Sequence, residues 1–222
     1  CGFGQGGVPT DWGLFDLPDP KTQGLMTLEG IDMILKLWSA EAPFDFKGDF
    51  WRIRIADPVP ELGIGELLKP YQQPHPPIAM SIVKGESMAA RTAGQRGYIP
   101  ISTNLVPFSI VGRQWEVYCE GAEEGGQPPP DRANWRVSRS IYVGDSTQEA
   151  RQHCLNGSFA RSYGYLIKVL TSLNMLSLMK RDPQMPDEAV TPEYCMDELA
   201  IVGDVDECAR QLNELYEVSG GF

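Results

Sequence analysis

The turn Lys84-Gly85-Glu86-Ser87 carries the side chains best suited to bind a phosphate group. It follows the apolar run IAMSI and precedes a segment of helical composition, so it should form the first turn of a helix. Free backbone amides at a helix start attract anions, and a glycine, a lysine and a serine hydroxyl beside them favour phosphate. The alternative is that Glu86 and Ser87 simply begin the helix. We predict a phosphate site and keep that alternative open.

The segment GFGQGG near the start of the chain suits a ligand that lies flat against the backbone. Glycine is unfavourable inside strands and helices, so Gly4 and Gly6 indicate either a tight turn or close approach by a ring that a Cβ would block. The Gln5 amide can donate and accept hydrogen bonds at the edge of such a ring. Met80 and Ser81, at the end of IAMSI, are candidates for the same surface, although Met80 is equally well explained as core.

The elements that hold these segments are predicted from the spacing of apolar residues. Residues 25–38 place apolar side chains at three- and four-residue intervals, which predicts an amphipathic helix. The stretch PFDFKGDFWRIRI alternates on both sides of a KGD turn and predicts a half-solvated hairpin. The runs IAMSI and YIPIS predict parallel strands buried on both faces, with a helix between them that ends near Gly94 or Gly97.

Strand and helix continue to alternate in the second half of the chain. The segment from Phe108 to Glu120 predicts a helix, WRVSRSIYV predicts a strand, and Ser146 starts another helix through the capping box STQE. The stretch KRDPQMPDEAVTPEY predicts an exposed excursion, and the last helix should begin at Asp204 or Asp206. Because ligands bind at the carboxyl ends of parallel strands, we expect GFGQGG, MSIVKGES and ISTN to converge.

Composition and charge argue against several classes of function. The chain has 19 basic and 30 acidic residues, a net charge of -11, and no run of Lys and Arg longer than two, which disfavours nucleic acid or an anionic membrane as a partner. Its five cysteines are odd in number and widely spaced, and its two histidines lie apart from any ligand cluster. We therefore expect no disulfide framework, no protein-bound metal and a cytoplasmic location.

Seven segments, in order along the chain, resemble the bacterial-luciferase-like flavin-dependent monooxygenases, and especially their limonene-monooxygenase-like group. They are GFGQGGVPTDWGLF, LEGIDMILKLW, FDFKGDFW, KPYQQPHPPIAM, AGQRGYIPIS, RSIYVGDSTQEAR and IVGDVDECARQL. The resemblance implies a TIM barrel that binds reduced FMN at its C-terminal face and uses O2 to oxygenate an organic substrate. It also implies a separate NAD(P)H:flavin reductase as a partner, and a homodimer is common in the family.

Functional residues of the family carry over at two places. Gly4, Gln5 and Gly6 match the end of the fourth barrel strand, which contacts the flavin, although bacterial luciferase itself has an arginine where Gln5 stands. Glu86 and Ser87 match a Glu-Ser pair that approaches the FMN phosphate. The resemblance thus implies that both segments bind the cofactor.

The resemblance assigns no catalytic residue in this chain. The catalytic histidine of the family lies near the second strand, in a region that this sequence does not contain, so neither His75 nor His153 inherits its role. Ala90 stands where the family has a threonine, which removes one hydroxyl from the expected phosphate site.

The expected fold is α/β, a partial (β/α)8 TIM barrel of about strands 4 to 7 with their helices, in which residues 1–222 form a single incomplete domain. We expect the chain to be an internal fragment of a longer reading frame. The expected function of the full-length protein is FMN-dependent oxygenation of a small apolar compound, terpene-like or aldehyde-like. Two alternatives are an F420-dependent oxidoreductase of the same fold and a non-catalytic flavin-binding fragment.

Overall fold

In a computed structural model of the protein, residues 1–4, 6, 9–17 and 19–222 are described. The chain divides into two units, Cys1–Ile78 and Ala79–Phe222. The elements of the first unit are β1 (Gly2–Phe3), α1 (Pro9–Leu14), α2 (Pro20–Ser39), β2 (Phe44–Lys47) and β3 (Arg52–Ile55). The elements of the second unit are β4 (Ala79–Ile82), α3 (Met88–Arg96), β5 (Ile99–Ser102), α4 (Phe108–Glu124), β6 (Arg136–Val137), β7 (Ser140–Val143), α5 (Thr147–Asn156), α6 (Ser158–Ser172), α7 (Pro192–Leu199), β8 (Ala200–Gly203) and α8 (Val205–Ser219).

The amphipathic helix predicted for residues 25–38 is confirmed as α2, which extends further at both ends. Asp19 caps its N-terminus, because the carboxylate accepts hydrogen bonds from the backbone amides of Lys21 and Thr22 at 2.9 and 3.1 Å. Ile31 and Met33 on this helix are buried. A local cap and an apolar stripe are together sufficient to define the element.

The predicted hairpin is also confirmed, and a residue of α2 holds its turn. Strands β2 and β3 pair antiparallel from Phe44 opposite Ile55 to Lys47 opposite Arg52. The Glu29 carboxylate accepts hydrogen bonds from three successive backbone amides of the turn, those of Asp49, Phe50 and Trp51, at 2.8, 3.0 and 2.8 Å. One carboxylate thus satisfies three turn donors that would otherwise need water.

Replacing Glu29 with glutamine is expected to loosen this turn, since an amide offers one acceptor oxygen where a carboxylate offers two. Burial opposes ionisation of Glu29, but the three amides outweigh it, and its pKa lies below the ordinary 4.5. The stabilisation is therefore present above about pH 4.5 and is lost as the pH falls through the lower folded-state pKa. Faster hydrogen exchange at the amides of Asp49, Phe50 and Trp51 in Glu29→Gln would show that the turn has loosened. Glu41→Gln, at an exposed site, is the control, and equal exchange in both variants would contradict the prediction.

The second unit contains the predicted β-α-β arrangement of parallel strands. Strands β4 and β5 pair in parallel from Ala79 opposite Ile99 to Ile82 opposite Ser102, and helix α3 connects them. Strand β6 extends this sheet beside β5, and β7 pairs in parallel with β8. The carboxyl ends of β4 and β5 therefore lie side by side, which places the Lys84 turn next to the segment that follows β5.

Helix ends in the second unit follow the local signals in the sequence. The Ser146 hydroxyl accepts a hydrogen bond from the Glu149 amide at 3.2 Å, and Asp204, not Asp206, is the N-cap of α8. Gly97, with a left-handed φ of 66°, ends α3. Gly220, with φ of 77°, ends α8 in the same way. Glycine adopts this conformation without the steric cost that a Cβ imposes.

Helices α3 and α4 cross with their backbones in contact. A Cβ added to Gly121 would lie 2.8 Å from the Arg91 Cα and carbonyl carbon, and closer still to the Arg91 carbonyl oxygen. A Cβ added to Gly94 would lie 2.7 Å from the Ala122 nitrogen. Real Cβ atoms are essentially never this close to backbone, so this crossing requires glycine at both positions.

Two features of the strands differ from the prediction. The run WRVSRSIYV is not one strand, because it breaks at Ser138 and Arg139 into β6, which pairs with β5, and β7, which pairs with β8. The Arg139 guanidinium accounts for the break, since it donates to the carbonyls of Ser138 and Thr103 at 2.7 and 3.0 Å and holds the chain at this point. The run AIVG, which the sequence analysis left before the last helix without assigning it, forms the fully buried strand β8.

Most of the proline-containing excursion is exposed, as predicted, but Lys180 and Val190 in this stretch are buried. The Lys180 ammonium donates to the Met185 carbonyl at 2.5 Å and forms an ion pair with the Asp187 carboxylate at 2.6 Å. These contacts fold the excursion on itself, while Val190 and Met185 pack in the apolar cluster that α6 and α7 form. No helix within the described ranges is long and apolar enough to cross a membrane.

Candidate functional site

The predicted phosphate turn lies between the carboxyl end of β4 and the start of α3. Ser87 is the N-cap of α3, and its Oγ accepts a hydrogen bond from the Ala90 amide at 3.3 Å. The serine is only 7% exposed. A helix start leaves several amides without intrahelical acceptors, and Ser87 satisfies one of them. Its own hydroxyl proton remains able to donate, because a serine hydroxyl is both donor and acceptor.

Glu86 is held by a cation from α4. The Arg113 guanidinium donates from Nε to one Glu86 oxygen at 2.6 Å and from Nη2 to the other at 3.2 Å. These hydrogen bonds are the main reason that the pKa of Glu86 lies below its ordinary value. Arg113 also contacts Glu116 and Glu120 at 3.0 and 2.8 Å. Arg113 therefore orients the Glu86 carboxylate beside the turn, but its single positive charge is shared among three glutamates and does not neutralise Glu86.

Gly85 allows the turn to pack against α4. A Cβ at this position would lie 3.1 Å from the Ile110 Cγ2 and 3.7 Å from the Arg113 Cγ. The glycine therefore has a packing role that requires no ligand. Lys84 beside it is exposed.

Met80 and Ser81 face opposite sides of β4, as successive residues of a strand do. Met80 is 8% exposed and shares its face with Ile82, which is fully buried. This placement agrees with Met80 as a core residue. Ser81 is exposed on the other face, where its hydroxyl is open to a ligand.

The ends of β4 and β5 come together as expected. Both the amide and the hydroxyl of Thr103 donate to the Ile82 carbonyl, at 3.0 and 3.1 Å. The Asn104 amide donates to the hydroxyl of Ser140 at the start of β7, at 3.1 Å. The segments MSIVKGES and ISTN therefore meet at one edge of the sheet.

The glycine-rich segment belongs to the first unit. Gly4 is exposed, and Gly6 adopts a left-handed φ of 74°. A Cβ on Gly6 would have the Gln23 Nε2 3.8 Å away, so backbone conformation, and not crowding, is what requires a glycine here. Gln5 lies outside the described residues, and the contact of this segment with a flat ring stays a prediction.

A partly buried arginine that the sequence analysis did not single out, Arg139, lies beside the end of β5 and the start of β7. The Arg139 guanidinium donates to the backbone carbonyls of Thr103 and Val106 at 3.0 and 3.3 Å. Burial lowers the pKa of Arg139 to about 10. No carboxylate of the described residues pairs with it, and its Nε has no acceptor there. The only signal in the sequence was an arginine inside an otherwise strand-like run.

Two adjoining cavities lie along β7, α5 and α6. One has a volume of about 250 Å³ and the other about 360 Å³, and Tyr142 lines both. The Tyr142 hydroxyl and the His153 Nδ1 are 2.9 Å apart at the larger cavity. In the first unit, His75 Nδ1 contacts the Pro76 carbonyl at 2.8 Å. Within the part of the chain that the structure covers, no three His, Cys, Asp or Glu side chains group as metal ligands would.

The start of α3 fits a phosphate group. It offers backbone amides and the donor proton of Ser87, while Arg113 binds the neighbouring Glu86 carboxylate through two hydrogen bonds. Helix dipole and free amides both favour an anion at such a point.

Comparison with known proteins identifies relatives for nearly the whole chain. The profile of the luciferase-like monooxygenase family matches residues 1–221. The chain is 27% identical over 210 residues to 3,6-diketocamphane 1,6-monooxygenase of Pseudomonas putida, which covers 92% of this chain and 55% of that protein. It is 26% identical over 121 residues to limonene 1,2-monooxygenase of Rhodococcus erythropolis, and this alignment covers 54% of this chain and 29% of that protein. The chain thus spans about half the length of the first of these curated relatives.

Solved structures agree with this assignment. The oxygenating constituent of 3,6-diketocamphane monooxygenase from Pseudomonas putida, described as a type II Baeyer-Villiger monooxygenase in complex with FMN, superposes with a TM-score of 0.83 at 26% identity. The match covers all of this chain and 61% of that one. An F420-dependent secondary alcohol dehydrogenase, at 18% identity and a TM-score of 0.61, shares the fold over 90% of this chain and 55% of its own.

The fold and the resemblance expected from the sequence are confirmed. The chain has the α/β luciferase-like fold, with parallel strands joined by helices. Family profile, sequence relatives and structural neighbours all agree on this assignment. This chain belongs to the luciferase-like monooxygenase family.

Proposed function

We propose that the full-length protein is a monooxygenase that uses reduced FMN and O2 to oxygenate a small apolar organic compound, terpene-like or aldehyde-like. Family membership supports this reaction class, as does the FMN bound to the structural relative. The single observation that carries the cofactor assignment is the start of α3, where the Ser87 hydroxyl and the adjacent backbone amides offer hydrogen-bond donors to a phosphate group.

Six of the eight predicted cofactor residues have a proposed part in this function. Gly85 lets the turn pack closely on α4, and Ser87 donates its hydroxyl proton to a phosphate oxygen. Ser81 offers a hydroxyl on the exposed face of β4, beside buried Met80. The predicted contacts of Gly4, Gln5 and Gly6 with the ring belong to the same proposal. Bound flavin would supply the oxygen chemistry, while these residues bind and orient it.

The proposal includes partners. A separate NAD(P)H:flavin reductase would supply reduced FMN, as the family resemblance implies. O2 and the organic compound are the other reactants. We also propose a homodimer, as the family resemblance implies, and a cytoplasmic location, which the widely spaced cysteines favour. Size-exclusion chromatography with light scattering tests the dimer.

Ser87→Ala is expected to weaken FMN binding by about 1.5–3 kcal/mol, the usual contribution of a hydrogen bond to a charged group. The measurement is FMN affinity by fluorescence quenching in the full-length protein. Ser146→Ala is a matched control, because Ser146 also caps a helix through its Oγ but lies on α5. Each variant should lose about 1 kcal/mol of folding stability from the missing cap. If both variants bind FMN with the same affinity as the wild type, Ser87 has no phosphate role.

An F420-dependent oxidoreductase is the second candidate, because an F420-dependent dehydrogenase shares this fold. The two reactions differ in whether oxygen is consumed. Substrate-dependent oxygen uptake with reduced FMN supports the monooxygenase. Anaerobic reduction of F420 with an alcohol, without oxygen uptake, would show that the protein is an F420-dependent oxidoreductase and not a monooxygenase. FMN binding without either reaction would leave a non-catalytic flavin-binding protein.

A further inference from the structure

The position of Glu86 beside the proposed phosphate site presents an electrostatic problem. Glu86 directly precedes Ser87, the N-cap of α3. The hydrogen bonds from Arg113 lower the pKa of Glu86, so the carboxylate is ionised at neutral pH. A negative charge at this point opposes the binding of a phosphate group, which is itself anionic. The presence of Glu86 therefore calls for a contribution other than its charge.

The contact between Glu86 and Arg113 joins the turn to α4 at two points. Arg113 Nε donates to one carboxylate oxygen of Glu86 at 2.6 Å, and Nη2 donates to the other at 3.2 Å. The planar guanidinium fork matches the two oxygens of a carboxylate, so the pair fixes a direction as well as a distance. The residue that precedes the N-cap is thus tied to a helix that lies later in the chain.

The preceding residue, Gly85, provides a second contact between the turn and α4. A Cβ at Gly85 would lie 3.1 Å from the Ile110 Cγ2 and 3.7 Å from the Arg113 Cγ. The turn therefore packs against the apolar part of the same arginine whose guanidinium binds Glu86. Two successive residues before the N-cap are supported by one face of α4.

Arg113 is itself fixed by a network that returns to α3. Its Nη1 donates to Glu116 and Glu120 at 3.0 and 2.8 Å, and both of these glutamates belong to α4. Glu120 also accepts from Arg91 of α3 at 2.5 Å. Because Arg91 lies about one helical turn after Ser87, the network holds the first turns of α3 as well as the segment before it.

We propose that Arg113 is a positioning residue for the phosphate turn: through Glu86 and the packing at Gly85 it holds the α3 amides and the Ser87 hydroxyl in the orientation that a phosphate group requires. This inference rests on the proposed function, because it concerns the same site. Arg113 does not itself bind the phosphate, since three carboxylates engage its guanidinium. Donors that are ordered before binding hold an anion more tightly, because the ordering cost is not charged against affinity.

The test compares FMN with riboflavin, which differ by the phosphate group. Dissociation constants are measured by fluorescence quenching in the full-length protein, and the wild type should bind FMN more tightly. Arg113→Met keeps the stem beside Gly85 and removes the fork. It should weaken FMN binding about 3- to 10-fold, the range for one hydrogen bond, and leave riboflavin binding unchanged. Arg210→Met is the matched control, because Arg210 pairs with two glutamates of its own helix, α8, and should affect neither ligand.

Two further variants separate positioning from charge. Glu86→Gln removes a negative charge and one of the two acceptor oxygens. Positioning predicts weaker FMN binding in this variant, whereas a simple effect of charge predicts tighter binding. Arg113→Lys keeps the charge without the fork and should restore only part of the FMN affinity lost in Arg113→Met. Tighter FMN binding in Glu86→Gln, or full restoration by lysine, would overturn the inference in favour of a through-space effect of charge.

The riboflavin measurements distinguish failure of this inference from failure of the proposed function. Equal losses of FMN and riboflavin affinity in Arg113→Met would overturn the inference in favour of a general structural role. Unchanged FMN affinity in that variant would also overturn it, while the preference of the wild type for FMN would still support the phosphate site. Equal affinities of FMN and riboflavin in the wild type would overturn the phosphate site itself, and this inference with it.

Discussion

Gly121→Ala is expected to destabilise the protein by about 2–3 kcal/mol, in spite of the better helix propensity of alanine. The new methyl group would lie 2.8 Å from the Arg91 Cα and carbonyl carbon. These are backbone atoms of α3, so relief requires the two helices to separate. Overpacking of this kind costs about 1–3 kcal/mol or more, while replacing glycine within a helix returns at most about 1 kcal/mol.

Separation of these helices would also weaken polar contacts between them. Arg91 of α3 pairs with Glu120 of α4 at 2.5 Å, and Arg113 of α4 pairs with Glu86 at the start of α3. The same variant should therefore disturb the turn that we propose for phosphate. Weaker FMN binding in Gly121→Ala would be an indirect effect of the displaced α3.

Gly164→Ala is the matched control for this prediction. Gly164 lies inside α6, and a Cβ there would have no heavy atom within 4 Å. This substitution should stabilise the protein by about 0.5–1 kcal/mol, because only the propensity gain applies. Urea denaturation of both variants measures the difference. Stability equal to wild type in Gly121→Ala would show that the crossing adjusts without cost.

Asp187→Ala is expected to destabilise the protein by about 3 kcal/mol, and by more than removal of its partner, Lys180→Met. The Lys180 side chain is 8% exposed, whereas that of Asp187 is 60% exposed. Removing the aspartate leaves a buried ammonium with the Met185 carbonyl as its remaining acceptor. An uncompensated buried charge costs about 3–5 kcal/mol. Removing the lysine leaves a carboxylate that water can solvate.

The double variant tests this explanation. With Lys180→Met present, Asp187→Ala should cost little further, because no buried charge remains. Denaturation midpoints of the four proteins form the cycle, and protease sensitivity of the stretch 181–190 reports local opening. Lys168→Met, at an exposed position on α6, is the control. If Lys180→Met proved more damaging than Asp187→Ala, packing of the lysine stem would be the larger effect.

Local signals in the sequence determined most of the secondary structure. The apolar spacing of residues 25–38, the alternation around the KGD turn, and the caps at Ser146 and Gly97 all act within a few residues of the chain. Such signals depend on backbone conformation and side-chain periodicity, which a sequence shows directly. For the same reason the sequence placed the start of α3 near Ser87.

The tertiary structure decided which polar side chains already have hydrogen-bond or ion-pair partners. Arg113 lies 27 residues from the Glu86 that it holds, and Glu29 lies about 20 residues from the turn amides that it accepts. The split of WRVSRSIYV likewise depends on Arg139 meeting carbonyls more than 30 residues earlier in the chain.

The cavity beside Tyr163 is another product of distant segments, formed by β7, β8, α5 and α6 together. Whether a polar atom finds a partner depends on how helices and strands cross, and the crossing is set by packing between residues far apart in sequence. Apolar periodicity shows which face of a helix is buried, but it does not show what that face meets. The strands, helices and caps could therefore be predicted from the sequence. The pairing of Glu86 with Arg113 and the surroundings of Tyr163 could not, because they depend on contacts between distant segments.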